Sequence, residues 1–328
     1  MLNERLEAFY RDEGLSEFAI AYRKLGRSNY NFANDVVRFV TDNAPCAILC
    51  FDVSDFFGHL NHALLKARLK RILQVSEISR DWYAVFRSVT RYSAISLNAL
   101  RLSPVFGSRL AKHSNTPIAS IREIRNAGIE IQSNHNDFGI PQGTPISAVF
   151  SNLYMIDFDR DLSSWCKSRG GLYRRYSDDI LIVCPIDAMA EAEAFVNASL
   201  AKEKLKLNDK TDRCVFDGNQ TINPQYLGFE ISPNGLLIRA SSLSRQWRKL
   251  RRNIRRTWRV GQAAIAAGAA EKIYTRKLYR RFTALRVRNF SSYARRSSSA
   301  LGSPGIMRQV RRLERHAEKE IAALKRKP

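Results

Sequence analysis

No apolar stretch approaching about 18 residues occurs anywhere in the chain, which excludes a membrane-spanning helix. Ala263 to Ala270 is too short and too weakly hydrophobic to count as one. The N-terminus, Met1-Leu2-Asn3-Glu4-Arg5-Leu6-Glu7, mixes charges and lacks the apolar core of a secretion signal, so the protein reads as cytoplasmic. Cysteine is scarce: Cys46, Cys50, Cys166, Cys184 and Cys214 form no CxxC pair, and no histidine is spaced to complete a zinc site. Cys46, Cys50 and Cys184 sit in apolar strands and read as buried, reduced packing residues. There is no internal repeat.

Acid is what the C-terminal quarter lacks. Residues 241–328 carry 25 Lys+Arg against 4 Asp+Glu, leaving 29 against 27 in the first 240 residues. The net charge of +23 is therefore almost all in one segment. Such asymmetry is the electrostatic footprint of a polyanion, with nucleic acid ahead of a membrane surface as partner. At 328 residues and 45% hydrophobic content the chain supports one large domain or two modest ones around a substantial core.

Along the chain, residues 1–45 read as polar helices, with a small basic turn at Tyr22-Arg23-Lys24-Leu25-Gly26-Arg27 and a second helix from about Asn31 to Thr41. Cys46-Ala47-Ile48-Leu49-Cys50-Phe51 reads as a buried strand ending at Asp52. Leu60, Leu64, Leu65, Leu69, Ile72 and Leu73 then recur at helical spacing, with Lys66, Arg68, Lys70 and Arg71 mostly between them. A further helix is expected over Arg80 to Tyr92, whereas residues 93–137 carry no clear pattern. Pro145 opens a long apolar helix to about Cys166. Next come a tight hairpin, a helix over Asp187 to Lys204, short strands within Leu205 to Val215, and a hairpin from Pro224 to Arg239 turning at Pro233-Asn234-Gly235. This order is α+β and ferredoxin-like at its centre. The basic tail reads as helices broken near Gly261, Gly268 and Ser297 to Gly305.

The tight hairpin carries two adjacent aspartates at its tip, Tyr176-Ser177-Asp178-Asp179, before the apolar run Ile180-Leu181-Ile182-Val183-Cys184. Adjacent carboxylates repel, so a fold that places them at a sheet edge has a use for a cation there. Asp52 is the third acid. Three acids accommodate two hard cations about 3.5–4 Å apart, which clamp the attacking and leaving oxygens of an in-line phosphoryl displacement. Taken without context, Ser-Asp-Asp is also ordinary composition for a solvated turn, and Asp52 could merely cap the next helix.

With Asp52-Val53-Ser54-Asp55-Phe56-Phe57, Gly139-Ile140-Pro141-Gln142-Gly143-Thr144-Pro145-Ile146-Ser147, Asn152 and Tyr176-Ser177-Asp178-Asp179 in this order, the chain resembles reverse transcriptases over roughly residues 20–240. The helix after Asp52, Leu207-Asn208-Asp209-Lys210-Thr211, Tyr226-Leu227-Gly228-Phe229 and the basic C-terminal helices extend the likeness. The resemblance implies a right-hand polymerase fold: N-terminal fingers helices at 1–45, palm and fingers with a ferredoxin-like palm at 46–240, and a helical basic thumb at 241–328. It implies that Asp52, Asp178 and Asp179, with the Val53 carbonyl, hold two Mg²⁺ ions. Phe57 aligns with an aromatic gate against a ribose 2′-hydroxyl, and Gln142 with a contact to the sugar and template base. Arg23, Lys24, Arg27 and Lys210 fall where phosphate-binding or pyrophosphate-protonating cations belong, although each is equally a solvated surface cation.

Tyr226-Leu227-Gly228 resembles the hairpin that grips the primer end. In the thumb, Arg245, Arg248, Arg251, Arg252, Arg255, Arg256 and Arg259 surround Trp247 and Trp258 in a basic, aromatic face suited to a nucleic-acid backbone. The partners implied are an RNA template, dNTPs and a cDNA product. The size of the chain, with no room for an appended RNase H, integrase or endonuclease domain, resembles the small bacterial enzymes. Retron enzymes usually carry a Val-Thr-Gly element after the primer-grip hairpin and an Asn-Ala-x-x-His element ahead of the second motif. Here Ile231-Ser232-Pro233-Asn234-Gly235 and Asn98-Ala99-Leu100-Arg101-Leu102 stand in their places. The expectation is thus a phage-defence reverse transcriptase acting on a dedicated noncoding RNA. Template-independent or protein-primed polymerisation, and a catalytically retired RNA-binding protein, are the alternatives.

Overall fold

The computed structural model describes residues 2–111, 116–209, 211–217, 223–232, 235–285 and 288–326. Its centre is a four-stranded antiparallel sheet of Cys46–Asp52, Leu172–Tyr176, Asp179–Cys184 and Asp212–Phe216. Numbered along the chain, these lie side by side in the order second, third, first, fourth. With helices between the first and second strands and Met189–Lys202 between the third and fourth, this is the ferredoxin-like arrangement expected from the sequence.

Both faces of the two central strands are covered, so Cys46–Asp52 and Asp179–Cys184 read as nearly continuous apolar runs and the two-residue period shows only in three dimensions. Ala47, Leu49 and Phe51 join Ile180, Ile182 and Cys184 in one core with Pro145–Tyr154, Ile156–Ser168 and Met189–Lys202. Cys46 and Ile48 join Leu181, Val183 and Phe216 in a second core beneath Asn29–Asp42 and a small sheet of Gln225–Tyr226, Phe229–Ser232 and Gly235–Ile238. A third core, including Leu250, Leu278, Phe282, Leu313 and Ile321, holds the C-terminal helices together. Among the described residues no helix is long and apolar enough to cross a membrane.

Several boundaries differ from the sequence reading for identifiable reasons. The expected helix from Pro145 to Cys166 is two helices, Pro145–Tyr154 and Ile156–Ser168. They part at Met155, where the buried Arg68 guanidinium donates to the Tyr154 carbonyl. Arg68 is thus no surface cation; it is ion-paired inside the fold with Asp157 and Glu203. Among its described residues, the unpatterned stretch holds three short helices, Leu97–Leu102, Pro104–Ala111 and Ile121–Asn126, and a pairing of Ser93–Ala94 with Gln132–Ser133. Gly261 does not break the long helix Ala240–Ala266: a Cβ there would lie 2.8 Å from Ile273, so this glycine permits a close approach. The real break near the tail's serines is Gly302, at φ +56°. Cys46 and Cys184 are buried as expected, but Cys50 is only half-buried. The turn residues Pro233 and Asn234 lie outside the described residues.

Candidate active site

The first and third strands place Asp52 directly opposite Asp179 in antiparallel register. Directly opposed residues project to the same face, here the side of the second core. The next residue along locks the turn: Val53 N–H donates to the Asp178 carbonyl at 3.2 Å. Two acids 127 residues apart in the chain thus meet through backbone pairing alone.

Leu172–Tyr176 and Asp179–Cys184 are joined by Ser177 and Asp178 only, and a two-residue hairpin needs a residue in the left-handed region. Ser177 fills that role at φ +62° and is buried. Beneath it lies Arg175, fully buried, its guanidinium bound bidentately to Asp159 at 2.7 Å through both Nε and Nη2. Its Nη1 donates to the Ser177 carbonyl at 3.0 Å, holding the residue just before the paired acids. Tyr173 Oη also donates to Asp159, and Asn152 donates to the Ala21 carbonyl while facing Arg175. Asn152 was singled out in the sequence; Arg175 and Asp159 were not. Their only signal was charge inside apolar elements.

Electrostatics at the strand ends match a gathering of like charges. Loss of hydration, followed by the charges of Asp178 and Asp52, pushes the Asp179 carboxyl up to about 6, with Arg239 opposing. Loss of hydration and the Asp52 charge also raise Asp178. Asp52 Oδ2 accepts from Asn208 Nδ2 at 3.1 Å, and the Asp52 carbonyl from Asn208 N–H at 2.7 Å. Among the described residues no Lys or Arg forms an ion pair with the three acids, and no group of three or more His, Cys, Asp or Glu closes into a ready-made metal cage. The donor set is all oxygen and formally triply negative, which fits a hard divalent cation and not a soft one.

A stability prediction arises here. A carboxyl whose folded value is raised contributes stability at pH below the unfolded value near 3.8, and that contribution is lost as pH rises through about 6. At neutral pH with a chelator, Asp179→Asn should therefore raise the melting temperature, on the order of a degree or two given the solvent exposure of the side chain. The increment should shrink as pH falls toward 4. Thermal melts across that range check it, and a decrease at neutral pH would contradict the repulsion.

A cavity of about 250 Å³ adjoins Asp179, lined among others by Cys50, Tyr176, Tyr226, Leu227, Gly228 and Arg239. Leu227 and Gly228 both have positive φ, +49° and +88°, and open space lies where a Gly228 side chain would project. The Tyr226-Leu227-Gly228 turn therefore presents bare backbone beside the acids. Gln142 is exposed in the turn before Pro145–Tyr154, next to Gly143 at φ +94°.

The remaining expected site residues are Phe57, Arg23, Arg27 and Lys210. Phe57 is 8% exposed, its ring edge-on to Phe56 in the first core. Arg23 is no free phosphate ligand: its guanidinium is bonded to Glu7 and to the carbonyls of Ser16 and Ala19, and stacks on Tyr10. Burial of an arginine requires such full pairing, and pairing removes it from service as an anion receptor. Arg27 is ion-paired with Asp35 and lies over Phe32. Lys210 lies outside the described residues.

In the long basic helix, Arg248, Arg251, Arg252, Arg255 and Trp258 line one groove of about 1180 Å³. Trp247 is not part of it; the ring packs on the third core beside His316, 4.8 Å between centroids. Periodicity alone could not separate the two tryptophans, because at eleven residues apart they fall within about 20° of each other around the helix.

Residues 1–231 match the family model described as reverse transcriptase (RNA-dependent DNA polymerase). Apo telomerase from Candida tropicalis, truncated from its C-terminal domain, superposes with a TM-score of 0.51 at 14% identity over 73% of this chain and 44% of that one. Telomerase from Candida albicans in complex with a TWJ fragment of telomeric RNA gives 0.44 at 15% identity, over 72% and 38%. The chain thus spans less than half the length of these telomerase structures. No curated protein sequence matches it. With the family model covering well over half of the chain, and an opposed Asp52–Asp179 pair at the edge of a ferredoxin-like sheet, the protein belongs to the reverse transcriptase family.

Proposed function

We propose that the protein is an RNA-directed DNA polymerase whose site is built by Asp52, Asp178 and Asp179. The observation that carries this is the register that sets Asp52 against Asp179 while Val53 N–H holds the Asp178 carbonyl. The three carboxylates, with the Val53 carbonyl, would hold two Mg²⁺ ions. When bound, such ions lower the pKa of a primer 3′-hydroxyl and neutralise charge on the leaving pyrophosphate. The protein's own part is positioning. Asn208 orients Asp52, Arg175 fixes the hairpin tip, and the bare backbone at Leu227-Gly228 lets a primer terminus approach Asp179. Gln142 stands ready for the template–nucleotide pair, and Lys210 and Arg27 for phosphate, the latter once released from Asp35.

Residues 1–45 act as fingers, 46–240 as palm and fingers and 241–328 as thumb, with Arg248, Arg251, Arg252, Arg255 and Trp258 tracking the nucleic-acid backbone. The template is RNA, the monomers dNTPs and the product cDNA. The departures from the retron pattern at Ile231-Ser232 and at Leu102, which stands where the histidine would be, support a bacterial defence enzyme copying a dedicated noncoding RNA. Purified protein with Mg²⁺, dNTPs and a primed RNA should yield DNA. An inert result with the co-purifying RNA supplied would refute the reading.

Phe57 tests the choice of sugar. Its buried ring is the wall behind the space that a 2′-hydroxyl would occupy. Phe57→Ala should raise ribonucleotide incorporation by about 10–200-fold relative to dNTPs, the range for removing steric exclusion of one small group. Single-nucleotide insertion kinetics read this directly, and a wild-type preference for ribonucleotides would end the gate argument.

A further inference from the structure

The long helix Ala240–Ala266 borders two cavities, and only one is the groove already described; Arg256 borders both. At 3.6 residues per turn each residue advances about 100°, so Asn253, Thr257 and Ala264 lie roughly 160° around the helix from Arg248, Arg255 and Arg259. The latter line the large groove. The former line a separate cavity of about 440 Å³ closed on its other side by residues 270–281.

That second cavity is assembled by an unusual contact. Gly261 allows Ile273 to press against the helix, and Ile273 and Thr275 are buried at 7% and 4% exposure. Tyr274, between them, is thereby thrown outward at 70% exposure while still lining the cavity. Arg256, Lys272, Lys277 and Arg281 line it as well, and no acid does; Glu271 is adjacent in sequence but outside the lining. Among the described residues none of these four cations is held in an ion pair, and only Arg281 has a side-chain partner, Asn253 at 3.2 Å. An exposed ring ringed by unpaired cations is a stacking platform beside phosphate-binding charges, the combination that binds unpaired nucleotides without reading sequence.

We infer that the cavity between Ala240–Ala266 and residues 270–281 is a second nucleic-acid site, which holds a single-stranded RNA segment by stacking a base on Tyr274 and pairing phosphates with Arg256, Lys272, Lys277 and Arg281. Apart from Arg256, which borders both, its helix residues face away from the primer–template groove, so occupancy of one leaves the other open. The site anchors a template strand, or its flanking RNA, away from the point of synthesis. That template role rests on the proposed polymerase reading, whereas the binding of RNA in the cavity does not.

The test uses the full chain with Asp178→Ala, so that binding is read without turnover. A fluorescent oligouridylate of about ten nucleotides is titrated in while a primer–template duplex saturates the groove. The oligonucleotide should still bind, and Tyr274→Ala should weaken it by roughly tenfold or more with duplex affinity unchanged. Lys272→Ala with Lys277→Ala should flatten the salt dependence by about 1.4 in log–log slope. Competition between oligonucleotide and duplex for one site would overturn the inference. So would unaltered RNA binding in both variants, with circular dichroism showing them folded, or binding of the matching oligodeoxynucleotide but not of the RNA. Absence of primer extension by the wild-type protein, with its RNA binding intact, would instead refute only the polymerase reading.

Discussion

Asp178→Ala is expected to reduce primer extension by about a thousandfold or more, with nucleic-acid binding retained. A divalent ion at a phosphoryl-transfer centre supplies several kcal/mol of transition-state stabilisation, and each 1.4 kcal/mol corresponds to about tenfold in rate. Removing one of three carboxylates forfeits that term because the remaining two cannot satisfy the same ions. The same size of loss is expected for Asp52→Ala and Asp179→Ala, since register makes the acids one unit and not three additive parts. Binding persists because the charge that attracts nucleic acid lies in residues 241–328, far along the chain from the acids. Gel-based extension and filter binding on the same preparations separate the two quantities. Equal activity in wild type and Asp178→Ala would leave only a nucleic-acid-binding role.

Arg175→Met should be the most destabilising single change near the site, by about 3–5 kcal/mol, because it strands the Asp159 carboxylate in the core. Arg175 and Asp159 are both fully buried, and the guanidinium also satisfies the Ser177 carbonyl. Chemical denaturation of the variant measures the loss. Arg175→Met combined with Asp159→Leu should recover much of that stability, since replacing both members of a buried pair by apolar groups is often neutral. Activity should not recover with it, because no donor then holds the carbonyl preceding Asp178. If stability and activity return together, Arg175 is packing and not a positioning residue.

The fate of each sequence expectation follows from the range over which its cause acts. The ferredoxin-like order was legible because each strand and helix carries its own periodicity, and chain order restricts how they can be layered. Asn61, Thr144 and Ser79 cap their helices by local chemistry that sequence shows directly. By contrast, the break at Met155 depends on Arg68, which arrives from a helix some eighty residues earlier. Arg23 reads as a free cation only until Glu7 and two carbonyls are folded around it.

By itself the sequence determined which acids could form a metal site, where the positive charge lies, and which family motifs appear in what order. Those are properties of composition and spacing, and folding does not alter them. Tertiary structure alone decided that Asp52 faces Asp179, that Arg175 braces the hairpin, that Trp258 and not Trp247 enters the groove, and that Tyr274 stands outward among cations. Each depends on contacts between segments distant in the chain, where burial and pairing choose among orientations that local propensity leaves equal in energy.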